Sequence, residues 1–269
     1  MHRKPAFSLV ELLVVIAIIA LLVSIVMPMF GRAKELTRRT TCAADLNTIG
    51  RGINQYVSQA DNRSFPYIPA QGDWLQTKVG ENRDEPFTKR VSRAVTANLA
   101  LLVKGDFVSQ DAFVCPSTDD TPDLTLEGEY LDFASAGNIS YAFQSPYGSD
   151  GMRNRPFYGA SPDSLIVMAD GGPQVNDDGT LMASASVTDW GSKLSRSERE
   201  KGNSPNHVNG EGQNVLYANL ATVKFRTRAD AGFNGDNIYT AATPPGLRAK
   251  KGSYRTQGAA SDKDSFLFP

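Results

Sequence analysis

KPAFSLVELLVVIAIIALLVSIVMP, residues 4–28, decides how this chain is read. From Leu12 to Met27 only Ser24 interrupts the apolar residues, and Phe7, Leu9, Val10, Met29 and Phe30 extend the run. A helix rising ~1.5 Å per residue crosses the roughly 30 Å hydrocarbon core of a bilayer in about 20 such residues, so this run is long enough to span one. His2, Arg3 and Lys4 precede it, and the positive-inside bias puts that end in the cytoplasm and the rest beyond the membrane. A secretory signal would close on a small-residue cleavage site. Here Pro28, Gly31 and Arg32 follow instead, which favours a segment that is kept.

The rest of the chain is polar by contrast. The 269 residues carry 28 Lys+Arg against 29 Asp+Glu, a net charge of -1, with 41% hydrophobic residues. That length builds one large core or two modest ones and excludes a disulfide-stapled miniature. A near-neutral chain has no basic field to draw phosphate backbones, so nucleic acid is not expected as a partner.

Glu11 stands inside the apolar run, between Val10 and Leu12. A carboxylate in a lipid-facing helix costs on the order of 2.5 kcal/mol at the bilayer centre, less near its edge, so such a group usually has a partner. An amine or backbone donor from a neighbouring copy would serve, which makes Glu11 a candidate assembly residue.

With leader charge, Phe7, Glu11 and Pro28 at this spacing, the segment resembles the N-terminus of type IV pilins and type II secretion pseudopilins. The resemblance implies that prepilin peptidase removes residues 1–6 by cutting between Ala6 and Phe7, and that Phe7 is then N-methylated. Ala6 stands where the family usually has Gly. Glu11 becomes the fifth mature residue, expected to neutralise the methylated amine of an adjacent subunit, and Pro28 matches the family's helix-kinking proline. The implied partners are prepilin peptidase, other pilin or pseudopilin subunits and the inner membrane. The implied location is a single-pass inner-membrane subunit with a periplasmic head, or an extracellular filament after assembly.

Past Gly31, Ala33, Leu36, Ala43, Leu46, Ile49, Ile53, Tyr56 and Val57 recur at three- and four-residue steps, which predicts an amphipathic helix. Arg32, Lys34, Glu35, Arg38, Arg39, Asp45 and Arg51 fall mostly off that stripe, and the basic cluster Arg32, Lys34, Arg38 and Arg39 reads as a solvated face, with contact to acidic neighbours or lipid head groups as the alternative. Asp61, Asn62, Ser64 and Pro66 are stop signals, so the helix is expected to end near Asn62. Its weak points are Pro28 and the pair Gly50 and Gly52, each glycine costing about 1 kcal/mol relative to alanine.

Beyond Pro66 the pattern breaks into short apolar pieces separated by Gly, Pro, Asn and Asp. The fold class read from this is α+β: a long N-terminal helix, membrane half plus amphipathic stalk, packed on a small antiparallel-sheet head with irregular loops. The expected divisions are a leader over 1–6, a transmembrane and assembly helix over 7–30, a stalk over 31–62 and an extracytoplasmic head over 63–269. Val91–Val103 reads as one further helix, ended by Lys104 and Gly105. Strands are expected at Ile139–Gln144, Ser164–Ala169, Asn214–Ala218 and Thr222–Arg226, the last two forming a hairpin across Asn219, Leu220 and Ala221. The tail from Ala229 reads as irregular, with Phe266, Leu267 and Phe268 docking its end.

Cys42 and Cys115 are the two cysteines, and both fall on the side of the membrane where oxidation is allowed. A disulfide tying head to stalk is expected, worth about 4 kcal/mol for a loop of this length, with two buried free thiols as the alternative. Two Cys and one His in the head fall short of a zinc site. Asp177 and Asp178 lie in one acidic turn and Asn234–Asn237 form another. They are weak calcium candidates without EF-hand spacing, so plain Asx turns and no cofactor are expected. Trp74, Tyr147, Tyr158 and Trp190 read as core and loop anchors.

The segments CAADLNTIGRGINQY, FVCPS, VMADGG and NHVNGEGQNVLYANLATVKF resemble the heads of pilin-like proteins from planctomycete-type bacteria. That head pattern has a His followed about nine residues later by Asp-Gly. Here His207 is followed by Asn214 and then by Asn219-Leu220 in place of Asp-Gly, two residues further on. Leu220 lacks the positive-φ freedom of Gly, which argues against a tight turn there. Asp170, Asp189, Ser186 and Ser204 could be offered to His207 as catalytic partners. No nucleophile elbow, H-E-x-x-H or phosphate-cradling glycine motif accompanies them, so no catalysis is expected. His207 is expected to hydrogen-bond loop backbone at the hairpin entrance. The function read from all this is a structural filament subunit, the rival being a membrane-anchored extracytoplasmic ligand-binding or enzymatic domain.

Overall fold

A computed structural model describes residues 8–59, 65–66, 68, 79, 95–126, 130, 132–144, 165–172, 203–207, 210–227, 238–239 and 267–268. One helix, α1 (Leu9–Gln59), runs through position 28 unbroken for 51 residues, about 75 Å. Asn62, the expected stop, lies outside the described residues. The second helix, α2 (Ala97–Lys104), starts later than the apolar pattern suggested; Thr96 is its N-cap and donates its hydroxyl to Asp132 Oδ1 at 2.8 Å, not to the helix. Gly105 follows its last residue as expected.

The α+β reading holds. Five strands, β1 (Tyr141–Gln144), β2 (Ile166–Asp170), β3 (Gln213–Tyr217), β4 (Val223–Arg226) and the two-residue β5 (Leu267–Phe268), form one antiparallel sheet in the order β4-β3-β2-β1-β5. The chain end therefore joins the sheet, pairing Phe268 with Phe143, instead of only docking. β1 starts later than expected because Ser140 is drawn off to a loop: its N–H donates to Phe113 O and its Oγ accepts from Cys115 N.

Alternation along the strands sorts the core into two faces. Tyr141, Phe143, Val167, Met168 and Leu216 pack with α1, α2, Phe113 and Phe133. Ala142, Ile166, Ala169, Val215 and Tyr217 pack with Ile238 and Tyr239 on the other face. Val167 and Met168 share a face although adjacent, because the pairing of β2 with β3 shifts between Ile166 and Met168. The same irregularity brings Asp170, at the end of β2, to the side of the sheet that carries Asn214.

α1 docks through one seam. Cys42, Leu46, Ile49, Ile53 and Val57 are buried, Tyr56 packs beside them, and stepping back from Cys42 by three and four residues reaches Arg39 and Glu35. This corrects the expected stripe at its upper end. Leu36 is 65% exposed and Ala33 is exposed, while Glu35 is buried. Gly50 and Gly52 are also not weak points. A Cβ on Gly50 would sit 2.7 Å from Leu220 O, and one on Gly52 would sit 2.1 Å from Val108 Cγ2, so both let the helix close on the head.

Leu220 closes the β3–β4 hairpin at φ 56°, against the expectation that leucine would disfavour the turn. Left-handed backbone costs a leucine roughly 1–2 kcal/mol. Burial of its side chain to 7% exposure, worth about 1.5–3 kcal/mol if complete, offsets that. Asn219 holds the turn, its Oδ1 accepting from Ala221 N at 3.1 Å and Thr222 N at 3.0 Å, while its amide donates to Thr222 Oγ1 at 2.8 Å.

Candidate functional site

Two places carry the chemistry read from the sequence: the start of α1 and the junction where α1 meets the sheet. At the first, Leu9–Met27 is long and apolar enough to cross a membrane, and none of it is buried in the lone chain. Glu11 lies in its first turn, and Ser8 meets it. The Ser8 N–H and Oγ donate to Glu11 Oε2 at 2.8 and 2.7 Å, and the Glu11 N–H donates back to Ser8 Oγ at 3.2 Å. This reciprocal cap was legible as Ser8-x-x-Glu11 directly before an apolar run, and the sequence reading passed over it. Ala6 and Phe7 lie outside the described residues.

At the junction the structure joins Cys42 of α1 to Cys115 in the loop after Phe113, with Cα atoms 5.2 Å apart. His207 is buried beside this bond at 1% exposure. Its partners are not loop backbone, as expected, but two carboxylates from different elements, with Asn214 Nδ2 also 3.3 Å from Nε2. Nδ1 lies 2.9 Å from Glu35 Oε1 of α1, and Nε2 lies 3.0 Å from Asp170 Oδ2 of β2. Loop backbone was the natural guess while Glu35 counted only as off the helix stripe. Docking of α1 through its Glu35–Arg39–Cys42 edge is what brings that carboxylate inside.

With a carboxylate oxygen facing each ring nitrogen, the ring satisfies both only as imidazolium, donating twice. Burial pulls its pKa down, but the bonds and charges of Asp170 and then Glu35 outweigh burial and leave it raised. Asp170 Oδ2 also accepts from Asn214 N at 2.6 Å and Asn214 Nδ2 at 3.3 Å. Glu35 takes the Ser117 hydroxyl at 3.4 Å and has Arg39 Nε 3.5 Å away. Arg39 in turn pairs with Glu211 and lies over the Phe225 ring, 4.9 Å from its centroid. Arg39 thus leaves the solvated basic face on which the sequence reading put it.

Glu35, His207, Asp170 and Arg39 form one connected cluster. It acts as a cross-brace between helix and sheet. Of the residues offered to His207, Asp170 reaches it, whereas Ser204 Oγ accepts from Asn206 N at 3.2 Å. Asp189 and Ser186 lie outside the described residues, as do Asp177, Asp178, the 234–237 turn, Trp74, Tyr147, Tyr158 and Trp190. Further down the seam Asp45 has its pKa raised to about 6 by burial, with the Tyr141 hydroxyl beside it pulling the other way. Burial, then the charges of Asp170 and Asp45, push the Tyr141 phenol up.

Residues 1–27 match the family model described as the prokaryotic N-terminal methylation motif. No curated protein and no solved structure matches the chain. The motif is that of a prepilin peptidase substrate, and together with the apolar helix it fits a membrane-anchored protein. The chain is thus a protein with a prokaryotic N-terminal methylation motif at the head of an apolar helix, consistent with a type IV pilin-like protein.

Proposed function

We propose that this chain is a structural subunit of a filament of the type IV pilus or type II secretion pseudopilus kind, working by assembly and not by catalysis. The observation that carries this reading is the Leu9–Met27 segment, apolar throughout except for Glu11 and Ser24 and without a covering surface in the lone chain. Water is an unacceptable destination for it, since exposing apolar surface costs about 25 cal/mol per Å2. The segment is stable in lipid or in a bundle of like helices. A subunit that leaves the membrane therefore needs the bundle.

In this reading Ser8 caps the Glu11 carboxylate while the subunit is stored, and in the filament the carboxylate meets the methylated amine of a neighbour. The N-terminus is cytoplasmic before cleavage between Ala6 and Phe7, and the head lies outside the inner membrane. The buried His207 brace supports the structural reading, because an imidazole with both nitrogens held by carboxylates and almost no exposure is poorly placed to act on a substrate.

Glu11→Ala in the native host tests the proposal. The expected result is a subunit that inserts and forms its disulfide but does not enter filaments. Assembly at the wild-type level, or native material that stays solitary with its leader retained, would refute it in favour of a simple anchor.

A further inference from the structure

We propose that, when its disulfide is open, the head–stalk junction is a site for a thiophilic divalent cation such as zinc, held by Cys42, Cys115, His207 and Glu35. Cys42 Sγ, Cys115 Sγ and a ring nitrogen of His207 all lie within 4.8 Å of one another, and all three residues are buried. Ligands of a tetrahedral zinc, at bond lengths of about 2.0–2.3 Å, sit roughly 3.3–3.8 Å apart, so small side-chain shifts close the set. Two cysteines and one histidine looked insufficient from the sequence, which gave no reason to add Glu35. Its Oε1 is 2.9 Å from Nδ1 but stands outside the set of three, so Glu35 has to turn toward the sulfurs to fill the fourth position.

The surroundings are those of a metal-bound histidine. Such a ring carries the metal on one nitrogen and donates the other N–H to a carboxylate. Asp170 already takes Nε2 at 3.0 Å, and its own place is fixed by Asn214 N at 2.6 Å. That leaves Nδ1 and its partner Glu35 for the ion.

A dithiol reductant opens the Cys42–Cys115 bond, yielding two thiols and leaving as its own disulfide. The cation then displaces three protons, one from each thiol and one from the imidazolium, and forms two metal–sulfur bonds, one metal–nitrogen bond and one metal–oxygen bond to the Glu35 carboxylate. Disulfide and metal compete for the same two sulfurs, so either one fastens α1 to the head. The junction stays cross-linked in both redox conditions. This inference does not depend on whether the chain forms filaments.

The test uses the full chain in detergent micelles, reduced with dithiothreitol, desalted without oxygen and titrated with cobalt(II) chloride. The expected result is one cobalt per chain with a thiolate-to-cobalt charge-transfer band and the strong visible absorption of a tetrahedral ion, both lost on adding zinc. The oxidised chain takes up none, Cys115→Ser loses the charge-transfer intensity, and His207→Gln binds roughly tenfold or more weakly with a shifted visible band. Far-UV circular dichroism checks that each form is folded. A folded reduced chain with no charge-transfer band overturns the proposal. So does a band unchanged in His207→Gln, or cobalt uptake that comes only with loss of the folded signal.

Discussion

Replacing His207 with glutamine in the disulfide-bonded chain would remove the one cation that, among the described residues, faces both Glu35 and Asp170. The two carboxylates lie 2.9 and 3.0 Å from its ring nitrogens. Breaking a buried ion pair by deleting one partner costs about 3–5 kcal/mol, because the remaining charge stays desolvated. Two charges are stranded here, but neither is left bare. Glu35 keeps Arg39 and Ser117, and Asp170 keeps both Asn214 donors. The lower end, about 3 kcal/mol, is therefore expected, a fall in melting temperature of roughly 6–12 °C for a domain of this size.

The pH dependence separates this cost from lost packing. In the folded chain the imidazole is raised above its ordinary value, so the folded state holds the proton more tightly than the unfolded state. Its contribution is complete below about pH 6.5 and is lost as pH climbs through the raised folded value. Melting curves of the oxidised chain in micelles from about pH 7 to 9, above the range of Asp45 and below that of the Tyr141 phenol, should show this alkaline loss in the wild type and not in His207→Gln. A variant within about 1 kcal/mol of the wild type, against the cost expected for a broken buried pair, would refute the reasoning. An equal slope over that pH window in the variant would do the same.

Glycine substitutions on α1 should divide by position: Gly50→Ala meets the Leu220 carbonyl and should destabilise by about 1–3 kcal/mol, whereas Gly31→Ala has nothing within 4 Å and should be neutral or stabilising by up to about 1 kcal/mol. Equal effects in denaturant titration would contradict the close approach. Leu220→Gly relieves the left-handed backbone but gives up a buried side chain, so a net loss of about 1 kcal/mol is expected, and a gain in melting temperature would show that strain dominates. Reducing the Cys42–Cys115 bond under a metal chelator, across a separation of 73 residues, should cost about 4 kcal/mol, and an unchanged denaturation midpoint would mean that the reduced chain keeps the loop closed by other means.

Much of this was legible in the sequence because it rests on periodicity. The apolar run, the stepped residues from Leu46 to Val57 and the four short β-branched segments each name their element. Both cysteines fall on the docking side, so their pairing followed from compartment and helix face. The brace was harder to see. A glutamate and an arginine four residues apart on a helix look like a solvated pair, and hydropathy gives no sign that a histidine about 170 residues away waits to meet one of them. The three- and four-residue steps from Ile49 through Leu46 and Cys42 do lead to Arg39 and Glu35, but only if charged residues are allowed on a buried seam. Leu220 was misjudged for a related reason: propensity registers the cost of its backbone and not the contact with Gly50 that its turn permits. The irregularity in β2 leaves no mark, since Ile166, Val167 and Met168 suit either face.

The fastenings between helix and head follow one line along α1 from Glu35 through Cys42, with Gly50 and Gly52 on its two flanks further down. Chain length between them is consequently guarded more strictly than residue type. One amino acid inserted between Arg39 and Cys42 would swing Glu35 by about 100° around the helix axis, out of reach of His207, while Cys42 stayed tethered. Seven inserted residues would return the bearing to within about 20° but move the carboxylate some 10 Å along the axis. The spacing itself behaves like the teeth of a key, indifferent to much of the metal between the cuts.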